Sequence, residues 1–257
     1  MDLDEDFLLA ERLVGLADSL ALTYFGAPNP VRDKTDGSPV SEADLAVEHA
    51  MLDLLRRERP GDAVLSEETG GRGSSGRRWI IDPIDGTVPF LAGGRGWGTH
   101  VALEVDGELE IGAVSRPTEN TVYWARRGRG AYVRAHGRER RLRIGGDDGP
   151  GPGLGLGAAR VSGFLFPESP VRPHVEALPG WTEWQVSAIG DLVEGRVDAV
   201  ADEGGKVWDR APAVLLVLEA GGRVDDLSGG RRLDAPWLLY SAPSLGAELT
   251  AFVRQRL

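Results

Sequence analysis

Two aspartates three residues apart, Asp82 and Asp85, close the string Trp79-Ile80-Ile81-Asp82-Pro83-Ile84-Asp85 and run on into Gly86-Thr87. An apolar run of strand type delivers the first carboxylate, Pro83 forces a turn, and the second carboxylate follows at once. Two carboxylates held at a partly buried strand end need a compensating cation. Hard divalent ions take such oxygen donors, with the backbone carbonyl between the acids as a further ligand. Gly86-Thr87 then opens a short helix, with Pro89 near its first turn, whose free N–H groups can cradle an anion. A cation beside an anion cradle is what phosphate-ester chemistry requires. An isolated pair of this spacing would read as a turn with Asp as helix cap; the nine-residue string is far more specific than that.

The other acidic candidates each have an ordinary local explanation. Glu67 and Glu68 follow a strand end, where a Glu pair commonly forms a solvated face. Ser41-Glu42-Ala43-Asp44 has the form of a capping box, with Ser41 at the N-cap and Asp44 reaching back. Asp209 follows Trp208 at a helix start, the place of an N-cap aspartate. The four histidines, His49, His100, His136 and His174, have no ligand spacing and are assigned to structure. Lys34 and Lys206 are the only lysines among 29 basic residues. A chain that otherwise uses arginine can retain lysine where a compact ammonium is needed.

The elements that must position these groups alternate in type. Leu9, Leu13, Leu16 and Leu20 form a stripe of helical period, and a second helix spans about 41–58. Strands are expected at 63–65 and 79–81, with 69–76 as a polar, glycine-rich surface loop. Val101–Val105 and Leu109–Val114 flank Asp106-Gly107, a strong hairpin signal, and 121–125 and 131–133 continue a meander. Nine arginines between Arg116 and Arg143 read as exposed hairpin faces. Residues 145–157 hold seven Gly and two Pro, the clearest candidate boundary. Trp181 and Trp184 lie in a less regular stretch. A strand is expected at 197–200, a helix after Trp208-Asp209, a strand at 238–240 and a last helix over 245–257. The class is mixed α/β. The expected division is 1–145, with most of the site, and 158–257, joined by 146–157.

The 257 residues provide ample core, and the net charge of −11 disfavours nucleic acid as a partner. No cysteine is present, which excludes disulfides, thiolate nucleophiles and iron–sulfur clusters. No apolar run reaches membrane-spanning length, so no membrane partner is expected. The acidic start is unlike a secretory leader, and the expected localisation is cytoplasmic.

Taken together, Ser66-Glu67-Glu68, Trp79 to Thr87, Trp208-Asp209 and Glu219-Ala220-Gly221-Gly222 resemble, in order and spacing, the inositol monophosphatase superfamily of magnesium-dependent, lithium-sensitive phosphatases. Arg126-Arg127-Gly128-Arg129-Gly130-Ala131-Tyr132, with Val207-Trp208-Asp209, looks most like its actinobacterial-type histidinol-phosphate phosphatase branch. The resemblance implies a layered α-β-α-β-α sandwich, two or three Mg²⁺ per site, a small phosphorylated metabolite as substrate and a homodimer. It implies that Glu67, Asp82, the Ile84 carbonyl and Asp85 share one cation, and that Asp82, Asp85 and Asp209 hold another. Asp44 would pair with the Thr87 hydroxyl to orient water, Lys34 would stand near metal and phosphate, and Gly86 and Thr87 would hold phosphate oxygens. Glu203 would contact substrate, with Asp202 as its rival. The chain departs from the family at Ser66, at Pro89-Phe90 and over 150–187. Inositol-1-phosphate, an aminocyclitol phosphate and a sugar phosphate remain alternatives to histidinol phosphate. A non-catalytic binding or regulatory role is a further one.

Overall fold

The computed structural model describes residues 2–33, 39–145, 155–183 and 188–257. The chain opens with α1 (Leu3–Tyr24), the short strands β1 (Val31–Asp33) and β2 (Pro39–Ser41), and α2 (Glu42–Glu58). Next come β3 (Ala63–Ser66), β4 (Gly70–Arg72), β5 (Arg77–Asp85) and the one-turn helix α3 (Thr87–Leu91). A meander follows: β6 (Gly98–Val105), β7 (Glu108–Arg116), β8 (Thr121–Arg126), β9 (Gly130–Ala135) and β10 (Arg138–Leu142). The remainder is β11 (Val161–Phe164), α4 (Arg172–Glu176), β12 (Trp181–Glu183), α5 (Ala188–Val193) and β13 (Ala199–Glu203). It closes with α6 (Val207–Glu219), β14 (Arg223–Asp225), β15 (Trp237–Ser241) and α7 (Gly246–Arg254).

An eight-stranded sheet has the order β10-β9-β8-β7-β6-β5-β3-β4, and a five-stranded sheet the order β12-β11-β13-β15-β14. Helices α1 and α2 pack on one face of the large sheet, α6 fills the space between the sheets, and α7 covers β14 and β15. The fold is the layered α-β-α-β-α sandwich expected from the sequence. The large sheet is drawn from residues before 145 and the small one from residues after 158. One apolar cluster nevertheless joins Ile80, Ala102 and Val114 of the first to Val200 and Leu239 of the second through Leu216 of α6, which packs on both sheets.

Several local expectations shift. The buried face of α1 is Leu9, Ala10, Leu13, Val14, Ala17 and Ala21, while Leu16 and Leu20 lie at its margin. Small alanines let α1 approach the sheet closely, so the stripe is centred one residue from the leucines. Within 69–76, residues 70–72 are strand rather than loop, because Gly70, Gly71 and Arg72 pair with Ser66, Leu65 and Val64. The meander gains a fifth strand, β10, whose arginines and glutamate face solvent and give no apolar signal. Asp106 and Gly107 both take positive φ, 51° and 84°, as a tight hairpin turn demands. The meander's arginines carry intrachain ion pairs, including Arg127 with Glu110, Arg134 with Glu139 and Arg140 with Glu194. Much of the Gly/Pro-rich connection, together with Lys34 and Trp184, lies outside the described residues.

Candidate active site

Strands β3 and β5 run parallel, with Ser66 opposite Ile81, so both release their acidic turns at the same sheet end. Glu67 donates its backbone N–H to the Ile81 carbonyl at 3.3 Å, which sets it beside Asp82. The first turn of α6 reaches the same place from the opposite layer. Gly112 of β7 permits this approach: a Cβ there would stand 3.0 Å from the Pro212 backbone of α6. One carboxylate oxygen from each of Asp82, Asp85 and Asp209 falls within 4.8 Å of the others.

This crowding perturbs every acid in the cluster. Burial, then the charges of Glu67, Asp85 and Asp209, push Asp82 well above the carboxylate range. Burial raises Asp85 to about 7, with Glu67 and Asp202 adding to it. Burial and then Asp85 raise Asp209 to about 7, against the opposing N–H donation from Lys206. Asp82 Oδ1 is buried and accepts no hydrogen bond. An all-oxygen donor set, mutual repulsion and an orphaned buried oxygen fit a hard divalent cation. Asp209 is not the N-cap expected from its sequence position. It is the third residue of α6 and accepts the Lys206 N–H at 2.8 Å, because the helix begins two residues earlier at Val207.

Asp44 resolves a competition that the sequence left open. Its Oδ2 accepts the Ser41 N–H at 2.7 Å and the Ser41 hydroxyl at 2.6 Å, completing the capping box. Its Oδ1 accepts the Thr87 hydroxyl at 3.2 Å. One carboxylate therefore caps α2 with one oxygen and faces the site with the other. Burial raises its pKa, and the Ser41 hydroxyl and N–H oppose that rise. Thr87 stands 3.4 Å from the Ile84 carbonyl as well. Gly86, at φ +85°, makes the reversal from β5 into α3 that brings Thr87 there. One turn after Asp44, buried Glu48 accepts the Ser66 hydroxyl and the Glu68 N–H, fixing the turn that carries Glu67. The serine at position 66 thus has a direct role in bracing this turn.

The cluster opens into a cavity of about 450 Å³, lined by Asp85, Gly86, His100, Asp202, Lys206 and Asp209, with Val114, Phe164, Phe166, Ile189 and Tyr240 as its apolar walls. The sequence gives His100 no ligand spacing and only a structural role. His100 lies in this wall with Nε2 3.3 Å from Asp85 Oδ2, and burial lowers its pKa to about 4, so it is neutral. Only the antiparallel register, His100 opposite Asp82, brings it here. Asp202 is tied to buried Arg210 at 2.6 Å and to the Gly205 N–H at 3.1 Å. Glu203 Oε2 accepts the Phe166 N–H at 3.0 Å and anchors the segment bearing the aromatic pair. Phe164 and Phe166 pack edge to face with centroids 5.7 Å apart, about two-fifths exposed. They come from the stretch that matched the resemblance poorly, and two phenylalanines flanking Leu165 were the available signal.

Residues 2–256 match the model of the inositol monophosphatase family. The chain belongs to that family. It is 39% identical over 234 residues to a histidinol-phosphatase of Mycobacterium tuberculosis, covering 88% of each chain. It is 60% identical over 259 residues to a Streptomyces griseus protein named glucose-1-phosphate thymidylyltransferase, covering 98% of each. An inositol monophosphatase structure from Zymomonas mobilis superposes with a TM-score of 0.84 at 25% identity, covering 99% of both chains. The chain is a phosphomonoesterase of that metal-dependent family and carries an acidic cluster, Asp82, Asp85 and Asp209, suited to a divalent cation; among the described residues no helix is long and apolar enough to cross a membrane.

Proposed function

We propose that this enzyme hydrolyses histidinol phosphate, using Mg²⁺ held two or three to a site and working as a homodimer. One observation carries the reading. Asp85 and Asp209 of the carboxylate cluster, with Gly86 beside Thr87, open onto a cavity with largely aromatic and aliphatic walls, where Asp202 and neutral His100 are among the polar groups. Such walls suit a flat imidazole bearing an amine better than a ring of hydroxyls, which would leave donors unpaired. The M. tuberculosis relative named histidinol-phosphatase supports the same choice.

Glu67, Asp82, the Ile84 carbonyl and Asp85 would hold one cation, and Asp82, Asp85 and Asp209 another. When bound, the cations supply Lewis acidity, lowering the pKa of water and offsetting phosphate charge. The protein's own part is positioning. The Thr87 hydroxyl donates to Asp44, which leaves its lone pairs free to accept a hydrogen bond from the attacking water and aim it at phosphorus in line with the ester oxygen. The Gly86 and Thr87 backbone amides meet the non-bridging oxygens. Lys34 joins them as a compact positive charge on sequence grounds. Asp202 faces the substrate amine, while Glu203 holds the aromatic segment in place.

Phosphate release from histidinol phosphate, inositol 1-phosphate, an aminocyclitol phosphate and glucose 1-phosphate, with Mg²⁺, tests the reading. The highest kcat/KM on histidinol phosphate is expected; a tenfold preference for any other member would overturn the substrate. The name of the S. griseus relative favours a second reading, a sugar phosphate as substrate. Glucose 1-phosphate with dTTP therefore completes the panel, with pyrophosphate release as the sign of thymidylyl transfer.

A further inference from the structure

Pairing between β5 and β6 breaks where the metal ligands sit. Asp82 is opposite His100 and Asp85 opposite Gly98, so β5 spends one more residue than β6 over this stretch. A bulge of this kind re-aims side chains and leaves a backbone group without a ladder partner. Pro83 occupies it, with no N–H of its own and a carbonyl to satisfy. Thr99, the β6 residue between His100 and Gly98, supplies the missing donor: its hydroxyl meets the Pro83 carbonyl at 3.0 Å.

Thr99 is held in turn. Its N–H donates to Ser115 Oγ at 2.9 Å, and the Ser115 hydroxyl donates to Asp18 Oδ1 at 2.6 Å. Thr99 and Ser115 are fully buried, and Asp18 reaches them from α1 on the outer face of the large sheet. Burial raises Asp18 to about 6, and the Ser115 hydroxyl opposes the rise. Near neutral pH it is therefore mostly an ionised acceptor. An acceptor-only carboxylate fixes the direction of the Ser115 proton, which points a Ser115 lone pair at the Thr99 N–H.

We propose that Asp18, Ser115 and Thr99 are positioning residues for the metal-binding turn, a buried brace running from α1 through β7 and β6 to the Pro83 carbonyl. None of the three touches substrate or cation. By holding the bulge they keep Asp82 and Asp85 in the spacing that a cation requires. Partners behind metal ligands commonly carry a tenfold or greater share of affinity. The inference rests on the metal site proposed above.

The test is calorimetric titration of the metal-free protein with Mn²⁺, which needs no turnover. Asp82→Asn first checks the underlying reading: it should abolish binding, and unchanged binding would remove the metal site itself. Given that loss, Thr99→Val should weaken Mn²⁺ binding about tenfold, and Thr99→Ser, which keeps the hydroxyl, should restore it to within about twofold. Asp18→Asn should weaken binding about threefold, and less than that in the Thr99→Val background, because the contact it works through is already gone. The thermal midpoint of each metal-free variant reports folding separately. Wild-type affinity in Thr99→Val, or equal loss in Thr99→Ser and Thr99→Val, would overturn the brace.

Discussion

Asp209→Asn should make the metal-free protein more stable at alkaline pH while destroying its activity. In the folded chain Asp209 is raised from 3.8 to about 7, chiefly by burial and by Asp85. A carboxylate raised by folding contributes most below its unfolded pKa, and that contribution is lost as pH rises through the folded value. Between pH 5 and pH 8 the unfolded group is already ionised, while the folded group changes from protonated to charged. At about 1.4 kcal/mol per tenfold change in proton affinity, this one group should cost the metal-free wild type about 2.5 kcal/mol over that interval. Asn removes the charge and still offers an oxygen to the Lys206 N–H, which Asp209 accepts at 2.8 Å, so the start of α6 survives. Urea unfolding in EDTA at both pH values measures the gap between variant and wild type. The gap should widen in favour of Asn by about 2.5 kcal/mol at pH 8. Adding Mg²⁺ should narrow the gap, since a cation at one hundred times its Kd stabilises wild type by about 2.7 kcal/mol and the variant by far less. An equal gap at pH 5 and pH 8, or full Mg²⁺-dependent turnover by the variant, would refute the reasoning.

Thr87→Ala should lower kcat about a hundredfold with KM within threefold in steady-state phosphate release, since it removes the aim of the water and not the hold on substrate; a wild-type kcat would exclude that role. Arg210→Met should destabilise by about 3–5 kcal/mol in urea, because it strands the Asp202 carboxylate and removes a donor from the Leu233 and Ala235 carbonyls. A loss below about 1 kcal/mol would show that Asp202 finds another partner. Removing both rings with Phe164→Ala and Phe166→Ala should raise KM for histidinol phosphate about tenfold and leave glycerol 2-phosphate, which has no ring, unchanged. Equal effects on the two esters would show that the rings do not select the substrate.

The helices and strands that deliver the site were legible wherever burial imposed a period. The apolar run into Asp82 and the helix over 41–58 fall where the sequence places them. Strands β4 and β10 were not legible, since glycines and exposed arginines carry no alternation and only pairing makes them strands. Asp44 shows the limit within a single residue. Its spacing from Ser41 specifies a capping box, but the second oxygen finds Thr87 only through a contact 43 positions away.

By itself the sequence determined the local chemistry: two carboxylates about a proline, a glycine reversal, a capped helix and a third acid in the opening turn of another helix. Those follow from short-range sterics and hydrogen bonding, which act between near neighbours. Only the tertiary structure decided that Asp209 meets Asp82 and Asp85 and that His100 and the Phe164–Phe166 pair share one cavity. It alone decided that Asp18 braces the turn from the far face of the sheet. Such meetings depend on strand register and on how closely α6 packs over Gly112. Both are set by the burial of the whole apolar surface at once, and no short stretch of residues records that sum.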